Sequence, residues 1–208
     1  MGRWTIARID GVHVVTMTSN KVNAMNDDFF SDLQAAIAEL QSAEVAADRP
    51  DRHRRCFCAG LDLRELYDLD RVTLASFVDR LDATVLAWFS LPRPTVAAIN
   101  GHAIAGGCVL ALACDLRVAV DRDATIGMNE VQVGIPFPAV PLAVTRHALS
   151  PAHAARGAAD RARCTRRGGE APAVWSTCSV PAADVMTRAR SRWRARIAPD
   201  SLWRRTRR

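Results

Sequence analysis

The 208-residue sequence predicts an α/β fold. Short apolar strands alternate with amphipathic helices over the first 150 residues, and this alternation is typical of βαβ units. A run of small residues also lies between a buried strand and a buried helix, where a tight turn can present backbone N–H groups to a ligand. The length fits one domain, or one domain with an appendage.

A β-hairpin and a helix are the first predicted elements. Residues 4–9 and 12–17 are its strands, and Asp10-Gly11 is a two-residue turn of the kind that joins hairpin strands. Asn26 then has the position of a helix N-cap. The helix after it has an apolar stripe with a 3.6-residue period, which consists of Phe29, Phe30, Leu33, Ile37 and Leu40.

Another amphipathic helix follows, and a pair of prolines ends it. Its apolar stripe consists of Leu74, Phe77, Val78, Leu81, Val85 and Phe89, and the prolines are Pro92 and Pro94. A strand over residues 95–99, a small-residue turn over 100–107 and a helix over 108–114 come next, before a strand over 116–120. Because the helix is apolar on nearly every face, it must be buried.

The net charge of +6 is unevenly distributed. Residues 151–208 carry 14 arginines and 4 acidic side chains, whereas residues 1–150 have a net charge of −4. Such asymmetry is typical of tails that bind nucleic acid or face a membrane. Nucleic-acid-binding tails also interleave aromatic side chains with the arginines on a periodic face. Trp193 and Trp203 form no such stripe, so we expect no nucleic-acid partner.

Several other classes of protein are disfavoured by the sequence. No run of 18 uncharged apolar residues is present, which predicts no membrane span. Residues 1–4 lack the apolar core of a signal peptide, and we expect a cytoplasmic protein. The six cysteines do not have the paired spacing of a zinc site, so we expect reduced thiols and no metal.

Four motifs give the chain a resemblance to a known family. They are residues 96–107 with 112–116, residues 57–63, residues 21–25 and residues 129–136. Over about residues 4–150 the sequence resembles the crotonase (enoyl-CoA hydratase/isomerase) superfamily. The resemblance implies an α/β fold with a spiral ββα core in residues 1–150. It also implies a short helical C-terminal region in residues 151–208 that builds a homotrimer or hexamer.

The family's ligand is an acyl-CoA thioester, with coenzyme A as part of the substrate and no separate cofactor. By motif position, the N–H groups of Ala59 and Gly106 would form an oxyanion hole that favours the enolate over the neutral carbonyl. The other implied substrate- and CoA-binding residues are Lys21, Ala24, Gly60, Leu61, Asp62, His102 and Gly107. A solvated loop role fits Lys21 equally well, and a packing role fits His102. For Asp115, which ends the buried helix, we expect a structural hydrogen-bonding role.

Glu130 is the implied catalytic acid and base. Hydratases of the family act with two glutamates on one water, and the second position here carries Val109, which cannot transfer a proton. Glu130 alone can still move a proton between two carbons, as single-carboxylate isomerases of the family do. The resemblance therefore favours an isomerase over a hydratase. A non-catalytic relative that binds CoA thioesters is the alternative.

Two segments depart from the family pattern, and a frame shift in the gene is our hypothesis for both. Residues 44–55 replace an apolar strand that ends in Thr-Gly, and residues 155–179 lack helical periodicity. One base out of register, codons for residues 51–54 can encode Leu-Thr-Gly-Thr-Gly, and those for 174–179 can encode Gly-Leu-Val-Asp-Val-Leu. The fold would then be incomplete and the C-terminal region degraded. A single intact reading frame in the gene would contradict the hypothesis.

Overall fold

The computed structural model describes residues 4–41, 55–149, 162–164 and 178–197. For residues 162–164, 178, 179, 193, 196 and 197 only the backbone is described. Most of the irregular segments 44–55 and 155–179 lies outside the described residues, so the frame-shift hypothesis stays a prediction. Trp203 also lies outside them.

Strands and helices alternate through the described part of the chain. The strands are β1 (Trp4–Ile9), β2 (Val12–Met17), β3 (Cys56–Cys58), β4 (Val96–Ile99), β5 (His102–Ile104), β6 (Leu116–Val120), β7 (Ala124–Gly127), β8 (Ala162–Cys164) and β9 (Cys178–Val180). The helices are α1 (Asp27–Gln41), α2 (Leu63–Tyr67), α3 (Arg71–Phe89), α4 (Gly106–Leu112), α5 (Ala139–Ala148) and α6 (Val185–Ile197), with a 3₁₀ turn at Val131–Val133.

The predicted hairpin and first helix are confirmed. β1 and β2 pair antiparallel, and Asp10 and Gly11 between them both have positive φ, as a tight hairpin turn requires. Asn26 caps α1, since its Oδ1 accepts a hydrogen bond from the Phe29 N–H at 3.0 Å. The apolar stripe of α1 is buried as its period predicts.

Two further sheets carry the rest of the strands. One has the order β3-β5-β7-β8, and the other has the order β4-β6-β9. The pairs β3–β5, β5–β7, β4–β6 and β6–β9 are parallel, and helices connect several of them along the chain. Parallel strands with intervening helices confirm the predicted α/β class.

Part of the chain beyond residue 150 packs against the sheet that contains β4 and β6. Val180, Val185 and Ala189 are buried together with Val96 and Val118. β9 and α6 therefore complete a sheet and cover it. The domain boundary predicted at residue 150 itself lies outside the described residues.

The turn predicted over residues 100–107 is only partly a turn, and in this respect the prediction was wrong. His102–Ile104 forms β5, and α4 begins at Gly106, two residues earlier than expected. The backbone here is held by strands distant in sequence, because the His102 N–H donates to the Arg55 carbonyl oxygen and the Ala105 N–H to that of Gly127. A local pattern of small residues does not reveal such pairing.

Among the described helices, none is long and apolar enough to cross a membrane. The described residues contain no cluster of three or more histidine, cysteine or acidic side chains that could hold a metal ion. Four cysteines with described side chains are buried and are not joined in disulfides: Cys56, Cys58, Cys108 and Cys114.

Candidate active site

An apolar cavity of about 100 Å³ lies between α3, α4, α5 and the turn that follows β3. Leu81 and Val85 line it from α3, Val109 from α4 and Pro141 from α5. Among the described residues that line this cavity, Glu130 is the one ionisable side chain. A largely apolar pocket with few polar groups is the usual form of a small-molecule site.

Two backbone turns meet at this cavity, residues 59–62 and residues 105–107. A Cβ atom added to Gly60 would lie 3.1 Å from the Gly106 nitrogen and 2.8 Å from the Ala105 Cβ. Gly60 also has a φ of +87°, which disfavours any other residue. Glycine at position 60 therefore allows the two turns to approach closely.

The Gly106 N–H is available as a donor at the cavity. Gly106 is the first residue of α4, so its N–H has no partner within the helix. No acceptor for it is found among the described residues, and Gly106 lines the cavity. The structure thus places Gly106 at the cavity, while its role in an oxyanion hole stays a prediction.

The prediction that Ala59 supplies the second donor is wrong. Ala59 lines the cavity, but its N–H donates to the Val22 carbonyl oxygen at 3.1 Å. The cause is the loop of residues 20–25, which runs alongside residues 57–62 and takes up this N–H. The sequence gives no sign of that pairing.

Leu61, two residues further on, has the free N–H instead. Met25 donates to the Gly60 carbonyl oxygen and accepts from the Asp62 N–H, both at 2.8 Å. In such a parallel bridge the residue between the two partners directs its own N–H to the opposite side. Leu61 lines the cavity, and its N–H has no acceptor among the described residues.

Glu130 is a buried carboxyl group with an unpaired oxygen. It precedes the 3₁₀ turn, is 8% exposed, and has no hydrogen-bond partner for Oε2 among the described residues. Burial raises the pKa of Glu130. A carboxyl group whose pKa lies closer to neutrality can both accept and return a proton.

Val109 shares the cavity with Glu130. It lies in the first turn of α4, is 1% exposed and lines the same cavity. Its side chain offers no proton donor or acceptor. The described lining therefore contains one carboxylate rather than two.

Other predicted residues lie away from the cavity lining. Lys21 is exposed in the loop before α1. The His102 Nδ1 accepts a hydrogen bond from the Thr125 N–H at 2.9 Å, which ties β5 to β7. Neither residue is among those that line the cavity.

Several of the other candidates have structural contacts. Asp62 caps α2 by accepting a hydrogen bond from the Arg64 N–H at 3.2 Å. A Cβ on Gly107 would lie 2.2 Å from the Cys58 carbonyl oxygen, so α4 packs on β3 only with glycine there. Buried Ala24 donates its N–H to Asn20 Oδ1 at 2.9 Å.

Asp115 has the structural role that the sequence predicts. One carboxylate oxygen, Oδ2, accepts hydrogen bonds from the Thr95 N–H at 2.7 Å and from its hydroxyl at 2.9 Å. These bonds join the residue before β6 to the residue before β4. Asp115 is not among the residues that line the cavity.

Comparison with known proteins decides the family. The family model described as "Enoyl-CoA hydratase/isomerase" matches residues 8–195. The chain belongs to this family. Enoyl-CoA hydratase domain-containing protein 2, mitochondrial, of Mus musculus is 39% identical over 119 residues, which are 56% of this chain and 40% of that protein. A putative enoyl-CoA hydratase/isomerase of Bacillus subtilis (strain 168) is 33% identical over 140 residues, 65% of this chain and 54% of the relative.

Solved enoyl-CoA hydratase/isomerase structures confirm the crotonase-like fold. Human mitochondrial delta3-delta2-enoyl-CoA isomerase superposes with a TM-score of 0.84 at 27% identity, covering 97% of this chain and 80% of that one. A family protein from Pseudomonas syringae gives a TM-score of 0.83 at 22% identity, covering 98% of this chain and 86% of that one. The chain nevertheless spans only about half the length of the curated relatives it matches.

Proposed function

We propose that this chain is an enoyl-CoA isomerase that moves a double bond along an acyl-CoA thioester. The observation that carries the proposal is the single buried carboxyl group, Glu130, in a cavity whose other described lining offers no second acid or base. A double-bond shift needs one group that takes a proton from one carbon and returns it to another. Glu130 meets this requirement.

The proposed reaction begins with the thioester carbonyl at the N–H groups of Leu61 and Gly106. Glu130 removes a proton from C2 of a 3-enoyl group, and the electron pair moves onto the carbonyl oxygen as a dienolate. The two N–H donors stabilise this oxyanion more strongly than the neutral carbonyl. Glu130 then returns the proton to C4, which leaves the conjugated 2-enoyl thioester.

Hydration is disfavoured by Val109. Adding water across the double bond requires one group to deprotonate the water and another to supply a proton to C2. Val109 lines the cavity with an aliphatic side chain, and Glu130 cannot do both at once. We therefore expect isomerisation rather than hydration, the two reactions that the family's description names.

Absorbance of the conjugated thioester tests the proposal. We expect the purified protein to increase this absorbance with a 3-enoyl-CoA and to leave crotonyl-CoA unchanged. A loss of absorbance with crotonyl-CoA would indicate a hydratase instead. Saturable binding of both compounds without turnover would indicate the non-catalytic relative.

A further inference from the structure

We propose that Asn23 is a positioning residue for the oxyanion hole, although it does not line the cavity. It acts through a hydrogen-bond ladder between the loop of residues 20–25 and residues 57–62, which we call the loop ladder. The inference rests on the proposed function, because it assumes that Leu61 and Gly106 bind the thioester oxygen. It adds a residue outside the cavity lining to those on which the reaction depends.

Five hydrogen bonds make up the loop ladder. They are Asn23 Nδ2 to Phe57 O (2.9 Å), Cys58 Sγ to Asn23 O (3.0 Å), Ala59 N to Val22 O (3.1 Å), Met25 N to Gly60 O (2.8 Å) and Asp62 N to Met25 O (2.8 Å). The last two fix the peptide groups on both sides of Leu61. The direction of the Leu61 N–H is therefore set by the ladder.

Asn23 is the side chain that begins the ladder. It is 3% exposed, and its carboxamide is a donor to the Phe57 carbonyl oxygen. Its φ of 51° lies in the left-handed region, which asparagine tolerates better than most residues. Position 23 thus requires both a left-handed backbone and a buried hydrogen-bond donor.

Met25 extends the ladder to the second donor of the hole. Its backbone bonds Gly60 and Asp62, and its side chain packs against α4, since a Cβ on Gly106 would lie 2.8 Å from the Met25 Sδ. A shift of the loop would move the Leu61 N–H relative to the Gly106 N–H. Both donors must lie within about 2.7–3.1 Å of the oxyanion, so a displacement of about 1 Å is expected to slow the reaction by up to about 100-fold.

Two variants of Asn23 separate its functions. Asn23→Gly keeps the left-handed backbone accessible and removes the donor. Asn23→Asp keeps the shape and presents an acceptor to the Phe57 carbonyl oxygen. Thr84→Val is the matched control, because Thr84 is itself buried and the change removes a partly buried hydrogen bond between α1 and α3, from Gln34 Nε2 at 2.9 Å; Thr84 does not line the cavity.

The readouts are steady-state isomerase kinetics and the absorption spectrum of a bound 2,4-dienoyl-CoA, whose band moves to longer wavelength when the hole polarises the carbonyl. For both Asn23 variants we expect kcat to fall about 10- to 100-fold with KM within about threefold, and the spectral shift to decrease by more than half. Thr84→Val is expected to keep the kcat and the shift of the unmodified chain.

The outcomes distinguish this inference from the proposed function. If the Asn23 variants keep the full spectral shift and kcat, the inference is overturned and the isomerase proposal stays intact. The same holds if Thr84→Val loses as much kcat and spectral shift as the Asn23 variants do. If the unmodified chain shows the spectral shift but no turnover, the isomerase proposal is contradicted. Loss of that spectral shift in the Asn23 variants would then still support the inference. No shift in the unmodified chain would overturn both.

Discussion

At the residue scale, the protonation of Glu130 links activity to stability. Burial raises the pKa of Glu130 in the folded protein above its unfolded value, so the folded state holds the proton more tightly. The stabilisation is complete below the unfolded pKa and is lost as pH rises through the folded pKa. Above the folded pKa, the desolvated carboxylate therefore opposes folding.

The first prediction concerns Glu130→Gln. We expect isomerase kcat to fall by about 10²- to 10⁴-fold. The melting temperature is expected to be equal to or higher than that of the unmodified chain at pH 8, with a smaller difference at pH 4. Asp79→Asn, on the exposed face of α3, is the control and should change neither value. A lower melting temperature of Glu130→Gln at pH 8 would show that the carboxylate has a stabilising partner.

Val109 is the second position where one side chain selects the chemistry. We expect Val109→Glu to hydrate crotonyl-CoA at least about tenfold faster than Val109→Gln, which has a similar size and no acid or base function. Both variants bury a polar group at a site that is 1% exposed, and each is expected to lose about 1–3 kcal/mol of unfolding free energy. Equal hydration rates in the two folded variants would contradict the role assigned to Val109.

At the element scale, two adjacent glycines of α4 differ in what surrounds them. A Cβ on Gly107 would meet the backbone carbonyl oxygen of Cys58 at 2.2 Å, whereas one on Gly106 would meet the Sδ of the unbranched Met25 side chain at 2.8 Å. We expect Gly107→Ala to lose about 1–3 kcal/mol of unfolding free energy, and Gly106→Ala to lose less stability but more kcat per folded molecule. Denaturant unfolding and kinetics measure both. The reverse order of stabilities would contradict the packing described for α4 on β3.

The contact between the starts of β4 and β6 allows a structural role to be separated from a catalytic one. Asp115→Asn weakens the acceptor of two hydrogen bonds from Thr95, and we expect a loss of about 1–3 kcal/mol in unfolding free energy. Asp123→Asn, on an exposed residue, should stay within about 0.5 kcal/mol. Neither change is expected to alter kcat per folded molecule. A large fall in kcat with Asp115→Asn would give Asp115 a catalytic part.

Elements that depend on local sequence could be predicted, and those that depend on distant pairing could not. The turn at Asp10-Gly11, the N-cap at Asn26 and the stripe of α1 are local and were confirmed. β5 is short, and it forms because β3 and β7 flank it. The free N–H of Leu61 has the same kind of cause, since the loop of residues 20–25 pairs with one side of the segment and leaves the other side open.

At the scale of the whole molecule, part of the arginine excess has a structural use. Arg190 and Arg194 on α6 contact Asp10 in the β1–β2 turn, at 2.9 Å to its carboxylate and 3.1 Å to its carbonyl oxygen. These contacts hold the C-terminal helix against the hairpin. Assembly as a homotrimer or hexamer, and the absence of a nucleic-acid partner, stay predictions.

The central claim is that one carboxyl group moves a proton between two carbons of an acyl-CoA. The most direct test follows a 3-enoyl-CoA in D₂O by mass spectrometry and NMR, with the unmodified chain and with Glu130→Gln. The account predicts a 2-enoyl product without deuterium at C4, because Glu130 returns the proton that it removed from C2, together with no 3-hydroxyacyl product and loss of conversion in Glu130→Gln. Conversion that survives Glu130→Gln, a product fully deuterated at C4, or a 3-hydroxyacyl-CoA as the main product would contradict it.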